Sequence, residues 1–113
     1  MKWKITYYNG AVEDAILDLP DKLLARYVRL TEIMEEYGPN LGMPHTRSMG
    51  ARLFELRLKG KEGIARVFYC TVVKQEILML HTFIKKQQDT PLHELRIGKE
   101  RLKEVLKNAK ENT

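Results

Sequence analysis

Cysteine is almost absent from this sequence: Cys70 stands alone among 113 residues. A lone thiol closes no internal disulfide and builds no thiolate cluster for zinc, which fits a reducing compartment and leaves Cys70 as a buried filler. Long apolar runs are missing too. No stretch of about 18 apolar residues occurs, and the opening Met1-Lys2-Trp3-Lys4-Ile5 alternates where a signal peptide would carry an unbroken apolar segment. A cytoplasmic location away from membranes is therefore expected. No Asp/Glu/His spacing suits a metal ion and no glycine-rich loop suits a nucleotide phosphate, so neither a metal site nor a cofactor is expected. Repeats, low-complexity segments and linkers are also lacking, and 113 residues with 43% hydrophobic content can bury one modest core. The expected organisation is a single domain over 1–110 with a polar tail at 111–113.

What the chain does have is positive charge, and its location matters more than its total of +5. Residues 52–86 hold Arg52, Arg57, Lys59, Lys61, Arg66, Lys74, Lys85 and Lys86 against Glu55, Glu62 and Glu76, while the rest of the chain is neutral. A surplus confined to one segment is the mark of a surface for a polyanion, although a solvated basic face gives the same tally.

Hydropathy periods divide the chain into an α+β order: one N-terminal strand, two helices, a three-stranded antiparallel sheet segment and a C-terminal helix. Trp3, Ile5 and Tyr7 alternate with polar residues over 2–8, a strand that Asn9-Gly10 ends. A short helix follows over Ala11–Leu19. Pro20 opens a second that runs to about Tyr37, with Leu23, Leu24, Tyr27, Leu30, Thr31 and Met34 as its apolar stripe, until Gly38-Pro39 stops it. Residues 38–50, rich in Gly and Pro, read as loop. Strands are expected over 52–59, 63–73 and 76–84, joined by short polar turns that make them antiparallel neighbours. Thr90-Pro91 gives an N-cap and a first-turn proline for a last helix to about Lys110, with Leu95, Leu102, Val105 and Leu106 facing inward.

Alternation along the three strands sorts their side chains between two faces. Phe54, Leu56 and Leu58 belong to the core, and Leu53, Glu55, Arg57 and Lys59 to the other side. Ala65, Val67, Tyr69 and Thr71 alternate with Ile64, Arg66, Phe68 and Cys70; Leu78, Leu80 and Thr82 alternate with Met79, His81 and Phe83. With helices over the leucine face, the opposite face would present Arg57, Arg66 and His81 beside Phe68 and Phe83, with Lys85 and Lys86 at its rim and Arg52 and Lys59 at its margins. Arginines and lysines neutralise phosphates and exposed rings stack on splayed bases, so the mixture suits single-stranded RNA. Phe68 and Phe83 have a second reading as core beneath the last helix. Arg57 and Arg66, side by side on adjacent strands, repel each other without an anion, which is a bound phosphate or, internally, Glu55.

The run Met49-Gly50-Ala51-Arg52-Leu53-Phe54-Glu55-Leu56-Arg57, then Ala65-Arg66-Val67-Phe68-Tyr69, then Leu80-His81-Thr82-Phe83-Ile84-Lys85-Lys86, and Thr90-Pro91 before a basic helix resembles the phage-derived Gp49-like/HigB toxins of the RelE/ParE toxin superfamily. The resemblance spans nearly the whole chain. It implies a compact α+β toxin of a type II toxin–antitoxin system, neutralised by a cognate antitoxin that is often a helix-turn-helix repressor. In the RelE and HigB branches it implies cleavage of mRNA in translating ribosomes. By that similarity Arg57 and Arg66 match strand positions that contact substrate phosphates, and Lys85 or Lys86 the basic position after the last strand. Glu55 departs from the RelE pattern, which has a basic residue there, and the RelE tyrosine near the C-terminus has no counterpart.

Cleavage without a metal needs a proton removed from the 2′-hydroxyl, the extra phosphorane charge stabilised and the leaving 5′-oxygen protonated. Arg57 and Arg66 suit the second task, because the guanidinium fork fits phosphate oxygens and keeps its charge. Lys85 or Lys86 can pass a proton if cationic neighbours lower its pKa. His81 is the central imidazole, and Glu55 is a base or a clamp on Arg57; His45 and His93 are expected to be solvated. The catalytic candidates are thus Arg57, Arg66, Lys85, Lys86 and His81, and the RNA-binding candidates Arg52, Lys59, Phe68 and Phe83. Two other functions are compatible with the same residues: gyrase inhibition of the ParE type, and nucleic-acid binding by a prophage protein without catalysis.

Overall fold

In a computed structural model, which describes residues 2–72, 74–86 and 89–111, the chain runs β1 (Lys4–Tyr7), α1 (Gly10–Leu17), α2 (Asp21–Tyr37), β2 (Thr46–Gly50), β3 (Leu53–Gly60), β4 (Gly63–Cys70), β5 (Glu76–Lys85) and α3 (Leu92–Glu111). The α+β class and element order are as expected, and β3, β4 and β5 pair antiparallel. Local chemistry sets the helix ends. Asn9 Oδ1 accepts from Val12 N at 2.9 Å and caps α1. Pro20 flanks the start of α2, and Gly38, at φ +101°, ends it in a conformation other residues avoid.

The sheet order is β1-β5-β4-β3-β2, with β1 parallel to β5. The strand β2 lies inside the segment expected to be loop. Its sequence, Thr-Arg-Ser-Met-Gly, has no apolar alternation because it is an edge strand held by main-chain pairing to β3, with Thr46 opposite Leu56 and Arg47 opposite Glu55. Arg52, expected on a strand, lies in the turn before β3 with φ +73°. The strand expected over 63–73 ends at Cys70, and residue 73 falls outside the described residues. The expected tail loses residue 111 to α3; residues 112–113 lie outside the described part.

Both faces of the sheet are covered. Leu56, Leu58, Val67, Tyr69, Ile77 and Met79 pack with Val12, Ile16, Leu23, Tyr27, Leu30 and Met34 of α1 and α2. On the other face Leu53, Phe68, Cys70, Leu80 and Phe83 pack with Leu102 of α3. The expected facing in β5 is wrong along its first half. Phe68 pairs with His81 but Tyr69 with Met79, so one extra residue bulges the strand at Leu80 and moves Leu78 and Leu80 to the α3 side. With α3 in place, the face expected to be an open cationic groove is mostly core. Among the described residues, no helix is long and apolar enough to cross a membrane.

One glycine lets α3 settle. Gly98 is buried at mid-helix, and a Cβ there would come within 2.8 Å of Phe68 Cδ2 and 3.2 Å of Phe68 Cγ. Phe68 is itself fully buried against Phe83 and cannot give way. Arg101 Nη1 donates to Leu80 O at 2.7 Å, its guanidinium lies 4.8 Å from the Tyr8 ring centroid, and the Tyr8 hydroxyl donates to Glu104, fixing the helix along its length. Gly98→Ala is therefore expected to destabilise the protein by about 1–3 kcal/mol through overpacking, against the roughly 1 kcal/mol gain that alanine brings to an ordinary helix. Urea unfolding midpoints check the sign.

Candidate functional site

The central strand β4 is buried on both faces, so an arginine at its middle needs an anion. Arg66 is 4% exposed and Glu55, on β3, is 0% exposed. Alternation puts Glu55 and Arg57 on one face of β3, and the pairing sets Arg57 directly opposite Arg66. Glu55 Oε1 accepts from Arg57 Nη1 at 3.2 Å and lies 3.5 Å from Arg66 Nε, while Glu55 Oε2 accepts from Thr90 Oγ1 at 3.3 Å. Thr90, expected to cap α3, thus spends its hydroxyl on the carboxylate. Glu55 is the internal anion between the two arginines.

It does not satisfy them fully. Arg66 Nε is buried without a hydrogen bond, and Arg66 Nη1 reaches only Ala65 O at 3.2 Å. Burial holds the Arg66 guanidinium below the ordinary arginine value; Glu55 opposes that, and Arg57 and Arg47 add to it. Lys85, opposite Ile64 at the end of β5, is lowered by partial burial and by Arg66 and Arg57, with Glu55 and Asp89 pulling the other way. Arg57 and Arg66 thus pair with one buried carboxylate, with Arg47 opposite it in register on β2 and Lys85 within its electrostatic reach, and cations outnumber it.

The opening is a concavity of about 340 Å³ at the β3–β4 hairpin end, lined by Arg26, Pro44, His45, Arg57, Lys59, Ile64 and Arg66. Arg57 keeps a quarter of its side chain exposed there. His45 is fixed by the main chain, since Arg57 N donates to His45 O at 2.8 Å. His45, expected to be solvated, is half-buried on the concavity wall, and Arg26 and Arg47 are not among the residues expected at a site. The only signal for Arg26 is its place on the polar side of α2; His45 and Arg47 depend on β2, which has no periodic signature.

The other candidates separate. Lys86 is exposed just past β5. His81 does not line the concavity: its Nε2 lies 2.7 Å from Glu94 Oε1 beneath the start of α3, and its ring stacks on Phe83 at 5.9 Å. Phe68 and Phe83 are 0% and 7% exposed, so neither has a ring face for a base, and both take the core reading. Arg52 is exposed near Cys70, at the other end of β3 and roughly 17 Å along the strand from Arg57. Cys70 is buried and its thiol is pushed up to about 11, as an inert filler requires.

The profile of the phage-derived Gp49-like protein family (DUF891) matches residues 14–103. The match runs from α1 into α3 and includes every residue of the Glu55 cluster. The chain belongs to this family, which is a RelE/HigB-like toxin family. Membership points to a toxin of the toxin–antitoxin type, with an antitoxin as its partner in general. Comparison with curated proteins gives no match.

Glu55→Gln removes the anion and leaves Arg66 buried with its charge unmet. It is expected to cost about 3–5 kcal/mol, as breaking a buried pair from one side does. Adding Arg66→Met should recover part of the loss. Urea unfolding of the single and double variants checks this, and strictly additive losses would show that the pair is not coupled.

Proposed function

We propose that the protein is a toxin endoribonuclease that cuts mRNA on translating ribosomes with its own fixed cations, and that a cognate antitoxin neutralises it. The observation that carries this reading is the excess of guanidinium and ammonium groups around the single buried Glu55, opening into a concavity with an imidazole on its wall. A scissile phosphate is the anion that this excess lacks. Its oxygens meet Arg57, while Arg66, at the floor, orients Glu55 and lends charge from below.

In the reaction the 2′-oxygen forms a bond to phosphorus and loses its proton, and the bond from phosphorus to the 5′-oxygen breaks as that oxygen gains one. The products are a 2′,3′-cyclic phosphate and a 5′-hydroxyl. Arg57 stabilises the charge that builds on the phosphorane. Lys85 donates the proton to the leaving oxygen, its pKa held below the ordinary lysine value by partial burial and by Arg66. His45, on the concavity wall, takes the 2′ proton. Both Glu55 oxygens are engaged, which fits the clamping role, and His81 is occupied by Glu94.

Arg57 is a cleaner test than Arg66, whose loss would empty a buried position. Arg57→Ala is expected to relieve growth arrest and to lower single-turnover cleavage on programmed ribosomes by roughly 10²–10³, with the protein still folded. Undiminished toxicity at equal expression would overturn the assignment, as would blocked gyrase supercoiling with intact mRNA.

Lys85 acts in its protonated form, so the cleavage rate is expected to fall as pH rises through its pKa, below the ordinary lysine value. Lys85→Arg holds its proton throughout, so this falling limb should vanish and the rate should drop about 10²-fold or more. Rates followed from neutral pH up to the ordinary lysine value of about 10.4 test both expectations.

A further inference from the structure

A second basic concavity, of about 450 Å³, adjoins the first. It is lined by Lys22, Arg26 and Arg29 of α2 and by Lys59 and Lys61 of the β3–β4 hairpin, and it shares Arg26 and Lys59 with the Glu55-side concavity. The cations of α2 recur at i, i+4 and i+7, which aligns them on one face over roughly 10 Å. The hairpin is pinned beside them: Glu62 Oε1 accepts from Lys22 N at 2.8 Å, and Gly60 lies so close to α2 that a Cβ there would touch Leu23 at 3.4 Å. Glu62 brings one negative charge to this region, with one oxygen held by a main-chain amide. Among the described residues, none of the five cations has a carboxylate within ion-pairing distance. Five like charges gathered by tertiary structure against one carboxylate leave a positive surplus whose members repel one another unless a polyanion lies across them.

We propose that this face is a phosphate track for single-stranded RNA, carrying nucleotides that flank the phosphate held at Arg57. The proposal rests on the reading of the first concavity as an RNA site and extends it, because two residues belong to both concavities and a strand leaving one enters the other. The mRNA strand is favoured over a separate anionic partner for that continuity. Sequence charge alone conceals the track, since α2 carries four acids against three cations, and three of those acids, Glu32, Glu35 and Glu36, lie beyond the cations toward its C-terminal end.

The test uses single-stranded RNAs of three and twelve nucleotides with 2′-O-methyl groups, which bind but cannot be cut, and the full chain carrying Lys22→Gln, Arg29→Gln and Lys61→Gln. All three side chains are exposed, so folding should be untouched. Wild type is expected to bind the 12-mer more tightly than the trimer. The triple variant should bind the trimer normally, lose about tenfold or more on the 12-mer at low salt, and show a log–log salt slope shallower by about 2, the value for three phosphates on a single strand. Equal 12-mer binding by variant and wild type would overturn the track. So would a length-independent wild type whose triple variant loses only ribosomal-subunit binding, which would assign the face to ribosomal RNA. Arg57→Ala separates the two layers. If it weakens the trimer while the triple variant leaves the 12-mer alone, only the track fails; if it leaves the trimer unchanged, the concavity reading fails and the track falls with it.

Discussion

The Glu55 carboxylate, buried between Arg57 and Arg66, is the interaction on which the arrangement of the candidate site depends. A strand enclosed by helices on both sides is normally apolar, and β4 obeys that rule except at Arg66. One exposed-face arginine would need no partner, but a buried one does, and the neighbouring strand supplies it two residues from a second arginine. Because Glu55 has two oxygens, one serves the arginines and the other receives Thr90, which ties the entry to α3 to the same carboxylate. A single ionised group thus sets the positions of two guanidinium groups and the start of a helix.

The pairing is incomplete in charge, and the proposal of a binding site, as against a structural ion pair, rests on that surplus. One buried carboxylate among Arg47, Arg57, Arg66 and Lys85 leaves cations in surplus, and burial first, with their mutual repulsion adding to it, lowers the pKa values of Arg66 and Lys85. A structural pair would have closed the account with a second carboxylate. The hairpin end of β3 and β4 stays open where α3 does not reach, and there the surplus meets solvent beside His45 and Arg26. Core packing under Gly98 fixes the sheet, and the charge surplus faces outward from it at the hairpin end.

Much of this was legible in the chain. The period of two over the β3 and β4 segments placed Glu55, Arg57 and Arg66 on one face, and the helical stripe of α2 placed Leu23, Tyr27, Leu30 and Met34 against the sheet. What escaped had physical reasons. An edge strand such as β2 is held by backbone hydrogen bonds, so Arg47 and His45 carried no periodic signal. The bulge at Leu80 shifts facing by one residue without changing composition. How far α3 covers the second face depends on Gly98 fitting over Phe68, a matter of a few tenths of an ångström, and this turned Phe68 and Phe83 from candidate base platforms into core.

The central claim is that Arg57 is the cation left for an incoming phosphate while Arg66 remains on Glu55. Nitrogen-detected NMR of the arginine side chains, recorded as an uncleavable single-stranded RNA is added, observes both groups at once. The account predicts that the Arg57 guanidinium resonance moves on titration and that the Arg66 resonance keeps its ion-paired position. An Arg57 signal that stays fixed while RNA binds elsewhere would contradict it.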